Sequence, residues 1–201
     1  MKKEPFKPKK YSVYDAYLTF YKGLRSFIHF ALSIIKTRTV NDAFRERIML
    51  AVTEVNGCEI CSYFHAKMAL ENGMSNEEIQ KLINGNTETI PAEEAIAILF
   101  AQHYADTKGH PTEKTWNKLI ETYGKTKAYQ ILAITRMIML GNVMGIPYST
   151  FLNRLKGNPA KGSSLVYELI MMMLPILFFP ISFIHALGSG LFRIPIIRFK
   201  A

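Results

Sequence analysis

Apolar residues recur along this chain three and four residues apart, which is the spacing of one face of an α-helix. Between residues 11 and 36, for example, Leu24, Phe27, Ile28 and Ala31 follow this spacing. Nowhere do apolar and polar residues alternate over the length of a strand, and no hairpin dipeptide separates two β-branched runs. The pattern therefore predicts an all-α fold.

Glycine, proline and capping residues mark where the later helices begin and end. Gly73 is typical of a helix stop, and Ser75 with Glu78 three residues later forms a capping box that opens the next helix. The other boundaries predicted in this way are a helix from Pro91 to Tyr104, one from Pro111 to Tyr123 stopped by Gly124, and a core helix from Lys125 to about Gly145 that Pro147 kinks or ends.

The formal net charge of +9 is concentrated at the two ends of the 201-residue chain, and the stretch between them is neutral. A protein that binds nucleic acid would carry a basic patch on its folded surface, so this distribution argues against nucleic acid as a partner. We predict a basic flexible arm over residues 1–10, one helical domain over residues 11–157 and an apolar tail over residues 158–201.

The tail contains an apolar stretch, residues 165–187, that is just long enough to cross a bilayer. Pro175 and Pro180 would kink such a helix, and Glu168 would need the membrane interface or a protein contact. Two interpretations follow, membrane association and burial against a partner subunit. Basic residues on both sides of the stretch favour the membrane.

The chain has only two cysteines, Cys58 and Cys61, which lie three residues apart. No further cysteine is present for the spaced disulfides of a secreted domain, and the first apolar run, residues 26–35, lacks the cleavage site of a secretory signal. These features predict a reactive dithiol in a reducing compartment, the cytoplasm. On a helix, the two Cα atoms would lie about 5 Å apart, which allows a disulfide to open and close.

Two helix geometries are open for this dithiol. Asn41 or Asp42 can cap a helix that either runs through the cysteines or breaks near Gly57. In the unbroken helix His65 lies one turn beyond Cys61, where it can act as a base or stabilise the thiolate. If the helix breaks, both cysteines fall in the first turn of a new helix, whose free amides also favour the thiolate.

Two carboxylates could complete the site. An unbroken helix would align Glu54 with both cysteines, whereas Glu46 lies twelve residues before Cys58. Spacing alone leaves both open, beside the simpler interpretations of surface charges and inert core cysteines. A zinc site is a further alternative, in which two thiolates and His65 would need a carboxylate, His29 or His103 as fourth ligand.

The chain resembles the carboxymuconolactone decarboxylase and AhpD-like alkylhydroperoxidase family in residues 44–48, in residues 55–61 with His65, and in residues 69–75. The shared motif is a glutamate twelve residues before C-x-x-C and a histidine four residues after it, and it falls on Glu46, Cys58, Cys61 and His65. The resemblance covers roughly residues 40–155 and implies an AhpD-like helical bundle that forms homo-oligomers. It also favours Glu46 over Glu54, and the dithiol argues against lactone decarboxylation.

The activity implied by the resemblance is that of a thiol-dependent alkyl hydroperoxidase. Cys61 would attack the peroxide or exchange disulfides, Cys58 would resolve the sulfenic acid, and Glu46 with His65 would relay protons. An external thiol or disulfide protein would supply electrons, and no organic cofactor or metal is expected. The alternatives are a disulfide relay that never meets peroxide and a non-enzymatic zinc-binding or assembly module. The apolar tail departs from the family.

Overall fold

The computed structural model describes residues 7–32, 39–86 and 88–199. These residues form seven helices and no strand, as the apolar spacing predicted. In chain order the helices are α1 (Val13–Leu32), α2 (Asp42–Asn56), α3 (Glu59–Glu71), α4 (Asn76–Ile83), α5 (Ala95–Asp106), α6 (Glu113–Leu155) and α7 (Leu165–Leu191).

Several predicted boundaries are confirmed by their hydrogen bonds. The Asn41 side chain accepts from the Phe44 amide at the start of α2, and Ser75 accepts from the Glu78 amide at the start of α4. Gly57 ends α2 in the left-handed region, with φ 68°. The second helix therefore breaks before the cysteines, which decides between the two geometries that the sequence left open.

Two proline signals were misread. The segment from Pro91 to Glu94 is a turn in which the Glu94 amide donates to the Pro91 carbonyl, so α5 begins at Ala95. The core helix does not end at Pro147 but continues for eight more residues to Leu155, because the packing of the buried residues Ile146 and Thr150 near the proline outweighs one lost hydrogen bond. Gly124, with φ 72° and ψ 160°, separates this core helix from the preceding segment of α6, as predicted.

The second segment of α6 is the centre of the core. Helices α1, α2, α3, α5 and α7 all pack against α6. Fully buried apolar side chains from these helices fill the space between them, among them Phe20, Ile48, Ile98, Leu132, Ile134 and Met139.

Residues 7–10 belong to the folded domain rather than to the predicted arm. The Lys9 amide donates to the Asn56 carbonyl at 2.8 Å, and the Lys9 ammonium donates to the Ala105 carbonyl at 2.8 Å. Gly57 allows this approach, since a Cβ atom there would lie 2.4 Å from the Lys7 carbonyl oxygen. The remainder of the predicted arm, residues 1–6, lies outside the described residues.

Helix α7 packs along α1 and α6 of its own chain. Near its start the buried Glu168 carboxylate accepts from the Arg154 guanidinium at 2.8 and 2.9 Å and from the Ser163 hydroxyl at 2.7 Å. Among the described residues, α6 and α7 are long and apolar enough to cross a membrane. The apolar window of α6 is 72% buried in the core, whereas that of α7 is only 17% buried.

Candidate active site

The break at Gly57 sets the position of both cysteines. Cys58 is the N-cap of α3 and Cys61 lies in its first turn, so both residues lie at a helix N-terminus, where the first amides have no partner within the helix. The two residues form a disulfide, with their Cα atoms 5.3 Å apart, close to the distance predicted from the spacing. When the disulfide is reduced, these amides and the helix dipole favour a thiolate.

The two sulfurs differ in access. Cys58 is completely buried, whereas Cys61 retains 8% of its surface and lines an open cleft. A molecule arriving from solvent therefore meets the Cys61 sulfur first.

Gly145 lets the core helix pass directly against the disulfide. A Cβ atom at this position would lie 2.6 Å from the Cys58 sulfur and 2.7 Å from the Cys61 sulfur. Real Cβ atoms do not approach other atoms this closely, so any larger residue would push the disulfide and α6 apart. Gly145 was not predicted as a site residue, because the role of a glycine inside a helix becomes visible only when the neighbouring helix is known.

Glu46 and His65 form a pair beside the disulfide. The His65 Nδ1 atom lies 2.8 Å from the Glu46 Oε2 atom, and the Glu46 side chain is completely buried. The Arg45 Nε atom donates to the other carboxylate oxygen of Glu46 at 3.3 Å. The carboxylate thus orients the imidazole, whose ring lines the same cleft as Cys61.

The other candidate side chains are placed differently. Glu54 does not line the cleft, and the break at Gly57 removes the unbroken helix on which its alignment depended. His29 stacks on Tyr129, and His103 accepts from the Thr112 amide, so both imidazoles are engaged outside the cleft. Within the described part of the chain, no group of three histidine, cysteine, aspartate or glutamate side chains is arranged to hold a metal ion.

The cleft beside Cys61 has a volume of about 480 Å³ and a predominantly apolar lining. Its walls come from three helices that are distant in sequence. Phe64 belongs to α3, Met144 and Tyr148 belong to α6, and Met172 and Pro175 belong to α7. None of these five residues was predicted as part of a site, because their apolar side chains have no individual signal in the sequence.

The comparisons with known proteins agree with the motif. The model of the carboxymuconolactone decarboxylase family matches residues 22–102, a segment that includes Glu46, both cysteines and His65. No curated protein and no solved structure matches the chain. The family covers AhpD-like peroxidases. The segment that carries the disulfide and its Glu46–His65 pair is therefore similar to the carboxymuconolactone decarboxylase family.

Proposed function

We propose that this protein is a thiol-dependent hydroperoxidase in which Cys61 is the attacking sulfur. The observation that carries the proposal is the position of Cys61, which lies in the first turn of α3 and borders an apolar cleft that it shares with His65. A hydroperoxide with an apolar organic group would fit this cleft, with its peroxide oxygens towards the sulfur.

The redox steps of the cycle involve the two cysteines, the hydroperoxide and an external thiol. The Cys61 thiolate attacks the terminal oxygen of the hydroperoxide, the O–O bond breaks, and the alkoxide leaves with a proton as an alcohol. Cys61 is then a sulfenic acid, and the Cys58 thiol condenses with it to give the disulfide and one water. Two equivalents of an external thiol reduce this disulfide and are themselves oxidised to a disulfide.

His65 and Glu46 are proposed to move the protons in this cycle. With its Nδ1 proton directed to Glu46, the His65 ring can accept the Cys61 proton at its other nitrogen and return it to the leaving alkoxide. The buried carboxylate stabilises the imidazolium formed between these steps. The external thiol would be supplied by a reducing compartment such as the cytoplasm.

Thiol titration of the reduced protein, before and after a small excess of tert-butyl hydroperoxide, tests the proposal. Two thiols should disappear together in the wild type and none in Cys61→Ser. In Cys58→Ser a sulfenic acid should persist on Cys61 and react with a dimedone probe. Rapid exchange with a small disulfide but no reaction with peroxide would replace the proposal by a disulfide relay, and stoichiometric zinc in the reduced protein would favour the zinc-binding alternative.

A further inference from the structure

The polar side chains of α7 face its own domain. Glu168, Ser182 and Ser189 are buried, and Ser189 accepts a hydrogen bond from the Tyr21 hydroxyl of α1. His185 is exposed at the side of the helix, and its ring stacks on Tyr21 of α1. A helix on the surface of a water-soluble domain has the opposite arrangement, with its polar side directed to solvent.

The outer face of α7 is apolar over its whole length. Glu168 is the only residue with a formal charge between positions 165 and 191, and it is buried. The helix has 27 residues, so the exposed surface extends for about 40 Å. We call it the outer strip, and define it by the apolar residues of α7 that are each at least 60% exposed: Val166, Met173, Ile176, Leu177, Ile184, Leu187 and Leu191. A continuous apolar surface of this length indicates a site of contact with another protein or with a membrane.

The outer strip lies beside the mouth of the cleft. Met172 and Pro175 of α7 form one wall of the cleft. Each is followed directly in the helix by a residue of the outer strip, Met173 and Ile176 respectively. Across the cleft, the ring of Phe64 is 55% exposed. An apolar molecule lying on the outer strip could therefore reach Cys61 without crossing a polar surface.

Two occupants could contact the outer strip, a membrane or a second copy of the chain, and the charges at both ends of α7 distinguish between them. Lys156 and Lys161 are exposed before the helix, and Arg193 and Arg198 are exposed after it. Two copies that joined by their outer strips, in parallel or antiparallel orientation, would bring basic ends against basic ends. An anionic lipid surface complements both ends at once, and each basic residue near such a surface strengthens binding.

We propose that the outer strip docks on an anionic membrane surface, and that the substrates of the Cys61 site are hydroperoxides of lipid acyl chains that enter the cleft from the bilayer. The helix would lie in the plane of the interface, with its apolar face among the acyl chains and the domain above it. The substrate class rests on the hydroperoxidase function proposed above, whereas the docking surface does not.

Vesicles made of equal amounts of phosphatidylcholine and phosphatidylglycerol test the docking surface by flotation. The wild type should float with them, and less with vesicles of phosphatidylcholine alone. Ile184→Glu should bind about tenfold more weakly, because a charge replaces a side chain that the lipid would bury. Leu99→Glu is the matched control, since Leu99 is 56% exposed on α5, and it should bind as the wild type does.

Turnover with dithiothreitol as reductant tests the substrate class with the same variants. On phosphatidylcholine hydroperoxide held in the anionic vesicles, Ile184→Glu should turn over about tenfold more slowly than the wild type, because its binding to the vesicles is about tenfold weaker. It should keep the wild-type rate on tert-butyl hydroperoxide in solution, which also shows that the variant is folded. Leu177→Glu, on the same strip, should repeat both results.

Three results would overturn the proposal. The first is a wild-type protein that does not float, and the second is equal binding by Ile184→Glu and Leu99→Glu. The third is a lipid-free dimer, seen by light scattering, that Ile184→Glu dissociates, since a second copy would then cover the outer strip. A wild type inactive on tert-butyl hydroperoxide as well as on lipid hydroperoxide would instead reject the proposed function and the substrate class, and flotation would still decide on the docking surface.

Discussion

The Nδ1 atom of His65 lies 2.8 Å from the Glu46 carboxylate, although 19 residues and a helix break separate the two positions. The carboxylate is completely buried and the imidazole reaches the cleft, so the pair connects the interior of α2 to the surface beside Cys61. A histidine oriented in this way presents its second nitrogen in a defined direction. The proton transfers proposed for the site depend on this arrangement.

Glu46→Gln should slow oxidation of the reduced protein by tert-butyl hydroperoxide about a hundredfold, because the amide cannot stabilise a protonated His65. Stopped-flow measurement of thiol loss at several peroxide concentrations gives the rate constant. Glu54→Gln is the matched control at the carboxylate that the sequence left open, and it should react at the wild-type rate. Equal rates for the two variants would show that Glu46 has no special role.

Gly145→Ala should lower the free energy of unfolding of the oxidised protein by about 1–3 kcal/mol, because the new methyl group would overlap both sulfurs. Gly141→Ala lies one turn earlier on α6 and meets no atom within 4 Å. This control should be more stable than the wild type by about 0.5–1 kcal/mol, since alanine favours a helix. Urea unfolding of the two variants measures the difference, and similar stabilities would mean that α6 does not approach the disulfide.

Gly57→Ala should destabilise the protein more than Gly73→Ala does. Both glycines have positive φ, and alanine in that conformation costs about 1–2 kcal/mol. Only Gly57 faces another segment, since its Cβ atom would lie 2.4 Å from the Lys7 carbonyl, whereas Gly73 meets nothing within 4 Å. Thermal unfolding compares the two. An equal loss would indicate that residues 7–10 do not pack against the break between α2 and α3.

The ion pair of Glu168 and Arg154 should make the attachment of α7 sensitive to acid. The hydrogen bond from Arg154 holds the pKa of the Glu168 carboxyl below its ordinary value of 4.5. A carboxyl with a lowered pKa stabilises the fold fully above the ordinary value, and this stabilisation is lost as the pH falls through the lowered one. The free energy of unfolding of the wild type should therefore exceed that of Glu168→Gln at neutral pH, with the gap closing only below pH 4.5.

Denaturant unfolding at a series of pH values follows this gap. Glu77→Gln provides the control, because Glu77 pairs with Lys81 on the exposed surface of α4, where solvent screens the charges. The free energy of unfolding of Glu77→Gln should stay close to that of the wild type at every pH in the series. A gap for Glu168→Gln that is independent of pH would contradict the assignment, since the loss would then come from packing rather than from the charge.

Local signals in the sequence were sufficient for most of the helices. The caps at Asn41 and Ser75 and the stops at Gly73 and Gly124 act within one or two turns of the chain, and each is confirmed. Pro147 was misread because its cost is local while the packing that offsets it comes from neighbouring helices. Residues 7–10 were assigned to a flexible arm for the same reason, since they contact residues 56 and 105, which are distant in the sequence.

The sequence by itself determined the helical class, the C-x-x-C pair with its histidine four residues later, and, through resemblance to a family, the choice of Glu46. Only the tertiary structure decided the rest of the site. The break at Gly57 separates Glu54 from the helix of the cysteines, Gly145 brings α6 against the sulfurs, and α7 supplies a wall of the cleft. The physical reason is that periodicity and capping involve neighbours in the chain, whereas a cleft and the access of a sulfur depend on surfaces that meet only when distant helices pack.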